Sequence, residues 1–168
     1  MKQFLKVLIW VVILGGACFG IYKVLPEYPQ NFVKSFVQPI VNNQAKIRIE
    51  QIQNLTNKDV NDMTYKAILE ANTGMSAWVY EVLDDGTEYV RYYGNGAAMN
   101  LKDWTDYNGK LATSCSVKIE FKIVGNNVDI YPYIDGELMY ISDGAHVEDN
   151  KEIKKSIFQQ LSRGVTTN

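Results

Sequence analysis

Ser114-Cys115-Ser116-Val117-Lys118-Ile119-Glu120-Phe121-Lys122-Ile123 alternates without interruption. Cys115, Val117, Ile119, Phe121 and Ile123 fall on one side, and Ser114, Ser116, Lys118, Glu120 and Lys122 on the other. A period of two with one apolar side is the mark of an antiparallel strand that is core on one face and wet on the other. The chain on either side of this strand continues the pattern. Residues 76–83 and 87–93 flank Asp84-Asp85-Gly86, a hairpin signal. Gly125-Asn126-Asn127 turns the chain into a strand over 128–134, where Pro132 points to an edge or a bulge. Asp135-Gly136 then leads into a short strand over 137–141.

Helical spacing surrounds this block. Phe32, Val33, Phe36, Val37, Ile40 and Val41 repeat at three and four residues behind a possible Asn31 cap, with a break expected at Pro39. Residues 45–55 fit either period, and Ile49, Ile52 and Leu55 favour a helix. A further helix is expected from an Asn57 or Asp59 cap to about Ala71, before Gly74. Near the C-terminus Ile153, Ile157, Phe158 and Leu161 form one stripe, capped by Asp149 or Asn150 and closed by Gly164. Helices, then antiparallel strands, then a helix predict an α+β fold, with helices packed on one face of about five strands.

The first residues are of another kind. Residues 7–22 carry no charge, and 7–14 are continuously apolar. As a helix the stretch spans about 24 Å, against a hydrocarbon core of about 30 Å. Phe4, Leu5, Val24 and Leu25 can lengthen it, and Lys6 and Lys23 can reach the headgroups. Three readings are open. A retained single-pass anchor fits the length. A cleaved signal peptide would use Gly15 and Ala17 before Cys18, but the apolar run continues through Phe19, Ile21 and Tyr22. A lipoprotein would acylate Cys18, but Gly15 stands where such signals carry Leu. The anchor reading divides the chain into a membrane segment at 1–25, a proline stem at 26–30 (Pro26 and Pro29) and an exported domain at 31–168. Lys2, Lys6 and the terminal amine favour a cytoplasmic N-terminus, with the folded body on the far side.

Charge follows the same division. The 168 residues carry 17 basic and 19 acidic side chains. Of these, Lys2, Lys6 and Lys23 lie in 1–25 and no acid does, which leaves a net charge of −5 on the remainder (14 − 19). An acidic body is unsuited to nucleic acid, and none is expected as a partner. The expected partners are membrane lipid at 7–22 and other envelope proteins.

Little in the sequence points to catalysis. His146 is the single imidazole and sits before an acid-rich helix start. Cys115 lies on the apolar side of the best strand, as a buried thiol would. Cys18 falls in the apolar segment and cannot pair with it. The run Asp103-Trp104-Thr105-Asp106-Tyr107-Asn108-Gly109 resembles a calcium loop, but aligning Asn108-Gly109 with its turn puts Cys115 where the final Glu belongs. Gly94-Asn95-Gly96 lacks the third glycine of a phosphate loop. No catalytic residue, cofactor or metal is assigned, and the chain is expected not to be an enzyme.

The aromatic residues are the candidate contact surface. Tyr89, Tyr92, Tyr93, Trp104 and Tyr107 lie in or beside an Asn/Gly-rich stretch over 94–110 that reads as loop. Tyr131 and Tyr133 fall opposite Val128, Ile130 and Ile134. Tyr and Trp beside adaptable polar residues suit protein or glycan contact. Alternatively, several of them fill the second side of the sheet beneath a helix. The expected function is a non-catalytic, membrane-anchored interaction or assembly module, such as a subunit of a cell-envelope or secretion complex; the alternative is an exported ligand-binding or sensing domain that uses the aromatic loop. An apolar N-terminal helix before an antiparallel sheet is similar in architecture to type IV pilins, although no acidic residue precedes Glu27. The element order also resembles soluble domains of secretion-system subunits with cystatin-like or nuclear-transport-factor-like folds, a likeness of fold alone.

If residues 7–22 are a retained anchor, the full chain stays in the membrane pellet through an alkaline carbonate wash. Its appearance in the supernatant overturns that reading.

Overall fold

A computed structural model describes residues 27–100, 111–135, 137–138 and 151–163. In chain order the elements are helices α1 (Glu27–Val41) and α2 (Asn43–Asn54), and short strand β1 (Thr56–Asn57). A 3-10 turn (Lys58–Val60), strand β2 (Met63–Thr64) and helix α3 (Tyr65–Glu70) come next. Strands β3 (Met75–Val82), β4 (Glu88–Asn100), β5 (Leu111–Val124), β6 (Asn127–Ile134) and β7 (Glu137–Leu138) follow, then helix α4 (Lys151–Arg163). The architecture is α+β. β3 to β7 form one antiparallel sheet in sequential order, four long strands and a two-residue fifth, and β1 pairs with β2 apart from it.

The alternation of residues 115–123 places them as expected. Cys115, Val117, Ile119 and Phe121 are buried in the main core, with Ile123 packed against it. On this face α2 contributes Ala45, Ile49 and Ile52, α3 contributes Tyr65, Ile68 and Leu69, and α4 contributes Ile157, Phe158 and Leu161. Aromatic rings connect the layers. Trp78 lies 5.0 Å from Tyr92 and 6.0 Å from Phe121, while Tyr65 meets Phe121 at 5.1 Å and Phe158 at 5.3 Å.

The hairpin after β3 closes as expected. Gly86 takes φ +82, and the Thr87 amide donates to the Asp85 carboxylate at 2.9 Å. β6 runs through Pro132, and among the described residues β7 pairs with Tyr133 and Ile134.

Four expectations are corrected. First, α1 begins at Glu27, so Asn31 lies inside the helix and is not its cap. Pro29 sits in the first turn, where no N–H donor is required. Pro39 lies near the other end; the helix stops at Val41, and the Asn42 side chain caps α2 by accepting from Ala45 N at 3.0 Å.

Second, the helix expected from Asn57 is cut short. The Asn57 side chain instead accepts from Asp59 N at 2.9 Å and starts the 3-10 turn. Asn61 and Asp62 then take φ of 53 and 54, which ends that turn and lets β2 pair with β1. The true cap of α3 is Thr64, which accepts from Ala67 N.

Third, residues 94–100 are strand and not loop. The register shifts between Gly94 and Ala97 opposite Val117 and Cys115, a bulge at which Gly96 has φ +76. The extra residue reverses side-chain parity, so Val90 and Tyr92 before it and Ala97 and Met99 after it all face the same core.

Fourth, the apolar residues of α1 do not face the core. Among its described side chains Phe32 packs on buried residues, and it does so on the opposite sheet face, against Ala77, Val79 and Tyr93. The expected apolar span at 7–22 lies outside the described residues. Among the described residues no helix is long and apolar enough to cross a membrane.

The Tyr92 hydroxyl donates to the Leu69 carbonyl at 2.7 Å, satisfying an orphan acceptor at the end of α3. A Cβ on Gly94 would lie 2.7 Å from both that oxygen and Thr73 Cγ2. Gly94→Ala is expected to lower unfolding stability by about 1–3 kcal/mol through this overpacking. Tyr92→Phe, which removes only the hydroxyl and its hydrogen bonds to Leu69 O and Thr73 Oγ1, is expected to cost about 1 kcal/mol. Urea unfolding of both variants checks the order.

Candidate functional site

The face of the sheet away from the core is set by the strand registers. Row by row across β3, β4, β5 and β6 it presents Ala77, Tyr93, Lys118 and Tyr133; then Val79, Arg91, Glu120 and Tyr131; then Glu81, Tyr89, Lys122 and Asp129. Phe32 covers the corner at Ala77 and Val79. Tyr89, Arg91, Lys118, Glu120, Tyr131 and Tyr133 are half-buried side chains on the remaining surface.

These groups hold each other in place. Arg91 Nε donates to Glu120 Oε1 at 2.8 Å, and its guanidinium also pairs with Glu81. The Tyr133 hydroxyl donates to Glu120 Oε2 at 3.1 Å, and Lys118 Nζ lies 3.4 Å from Oε1. Two cations also sit on rings: Arg91 is 5.0 Å from the Tyr89 centroid and Lys118 is 3.9 Å from that of Tyr133. Burial and the adjacent Glu120 carboxylate push the Tyr133 phenol up to about 12. Near neutral pH Tyr133 is therefore a neutral donor. The three acids and three bases of the grid balance, so the face presents aromatic surface without net charge.

The sequence-derived contact residues divide among four locations. Tyr89, Tyr131 and Tyr133 share this face. Tyr93 shares it but is buried beneath Phe32, as in the covered-sheet alternative. Tyr92 is fully buried on the core side. Trp104 and Tyr107 lie outside the described residues, as do His146, Cys18 and the segment 103–109. Sequence reasoning missed Arg91, Glu120 and Lys118 as partners of the tyrosines. Their signal was present in the alternation, but the charged side of β5 was taken only as solvated.

A second concavity, of about 280 Å³, was not foreseen. It lies between α1, α2, α3 and β3, with Phe36, Pro39, Ile49 and Trp78 as its apolar walls and Lys46 and Glu70 among its polar residues. Glu70 Oε1 is already engaged by Trp78 Nε1 at 2.9 Å. Its residues come from four separated elements, so no sequence spacing marks it. Among the described residues no three His, Cys, Asp or Glu side chains are placed to hold a metal.

Cys115 is 1% exposed. Burial, reinforced by the neighbouring Asp135 carboxylate, pushes its thiol up to about 11 from an ordinary value of 9.0. This is the opposite of an activated nucleophile. Comparison of the chain with protein-family models, with curated proteins and with solved structures gives no match in any of the three.

The thiol has a consequence for alkaline stability. The folded state holds the proton up to about pH 11, whereas the unfolded chain releases it near 9. The contribution is thus fully present below pH 9 and lost as pH rises through 11. The urea midpoint is expected to fall over that window, and less steeply in Cys115→Ala than in the parent.

Proposed function

We propose that the chain is a non-catalytic, single-pass membrane protein whose exported domain is an interaction module, docking an envelope protein through the outer face of β4–β6. The observation that carries this reading is the prearranged group of Tyr89, Tyr131 and Tyr133 around Arg91, Glu120 and Lys118. Rigid tyrosines bury area at low entropic cost, and Arg and Tyr are common energetic anchors of protein interfaces. Polar groups already bonded to each other need not be stripped of unmatched water on docking. The uncharged stretch 7–22 supports the anchor, with a cytoplasmic N-terminus and the folded body extracytoplasmic.

A photo-cross-linking side chain at position 131, in the full chain in its native membrane, is expected to yield a discrete protein adduct. The same group at Lys66, an exposed residue of α3, is expected to yield none. With the recovered partner purified, Tyr131→Ala is expected to weaken binding about tenfold or more, the scale of an aromatic anchor. Equal adducts from both positions, or unchanged affinity, would discard the proposed face. A glycan or small-molecule adduct instead would favour the ligand-binding alternative.

A further inference from the structure

α1 is packed inside out. Beyond the Phe32 corner, its contacts with the β3 edge are polar: the Gln38 amide donates to Tyr80 O at 2.5 Å and accepts from Tyr80 N at 2.9 Å, and Lys34 reaches Glu81 at 4.0 Å. Gln38 thus takes up the outward peptide groups of Tyr80 on the edge of β3, in place of a neighbouring strand. Val33, Val37, Ile40 and Val41 point the other way, and Phe36, which also walls the concavity beside Trp78, stands at the margin of this side; the five are 43% to 83% exposed. At about 100° per residue these five positions fall within an arc of about 140°, a continuous apolar stripe. A soluble helix normally buries such a stripe.

What lies next to the stripe follows from chain length. Only residues 23–26 separate Tyr22, the end of the uncharged stretch, from Glu27, the start of α1. That connection reaches at most about 18 Å even when fully drawn out. If 7–22 ends in the headgroup region, α1 starts within that distance of it. We infer that the outward stripe of α1 rests on the bilayer surface, with Val33, Phe36, Val37, Ile40 and Val41 immersed among the upper acyl chains. This inference rests on the anchor reading above.

The arrangement also orients the domain. α1 lines the β3 edge, so β3 lies nearest the bilayer and β6 lies three strand spacings further out, about 14 Å. Among the four long strands, the one that carries Tyr131 and Tyr133 is then the furthest from the bilayer.

Spin labels read the contact directly. The full chain is reconstituted in phosphatidylcholine vesicles with a nitroxide at Phe36→Cys or Ile40→Cys, and at Asp129→Cys as the control; Cys18 and Cys115 are replaced by alanine. Labels at 36 and 40 are expected to collide several-fold more with oxygen than with a water-soluble nickel complex, and the label at 129 the reverse. Nickel accessibility at 36 and 40, in a chain that stays in the pellet through an alkaline wash, overturns the surface contact and leaves the anchor standing. Shielding from both reagents, with dipolar broadening between labels, assigns the stripe to a second copy and also overturns it. Release of the chain by the wash removes the anchor, and the inference with it.

Discussion

The ring contacts that run from Trp78 through Phe121 to Tyr65 and Phe158 hold the domain's layers in place. They link β3, β5, α3 and α4, and Tyr92 of β4 joins at Trp78. Each such pair contributes about 0.5–1.5 kcal/mol beyond its burial. More important is that the rings are large and rigid, so they set the distance and orientation of the helices over the sheet. Tyr92 illustrates the constraint. Its ring fills the core, its hydroxyl ties down the end of α3, and Gly94 must lack a side chain to leave it room.

A core completed by α2, α3 and α4 leaves no place for another apolar helix on that face. α1 therefore takes the β3 edge and turns its polar side inward. Gln38 makes this possible, because a primary amide can present a donor and an acceptor to a strand as a peptide group does. The apolar stripe, excluded from the core, is left on the outside, where the proposed contact with a bilayer would cover it. Among the described residues the outer sheet face is covered at its Phe32 corner alone, and its charged residues neutralise one another around the tyrosines.

Much of the sheet could be read from the chain. Alternation over 115–123, the Asp84-Asp85-Gly86 turn and the stripe of Ile157, Phe158 and Leu161 each act locally, through period and turn chemistry. Residues 94–100 could not be read this way. Asn95-Gly96 is a good turn signal in isolation, yet β5 offers a partner strand and the glycine is used for a bulge. Asn57 likewise has cap chemistry, but caps a 3-10 turn. Of the candidate contact residues, parity alone placed Tyr131 and Tyr133 on the outer face. Parity across the 88–94 strand also separated Tyr92 from Tyr89 and Tyr93, but grouping them by sequence proximity hid it.

The sequence by itself determined the α+β class, the strand that is half core and half solvent, and the division of the chain into an uncharged N-terminal stretch and an acidic body. These follow from composition and from periodicities of two and 3.6, which are properties of neighbouring residues. Only the tertiary structure decided which way α1 faces, which tyrosines share a surface, and that Gln38 caps the β3 edge at Tyr80. Those outcomes depend on competition between distant segments for one core face, and local pattern carries no record of which segment wins.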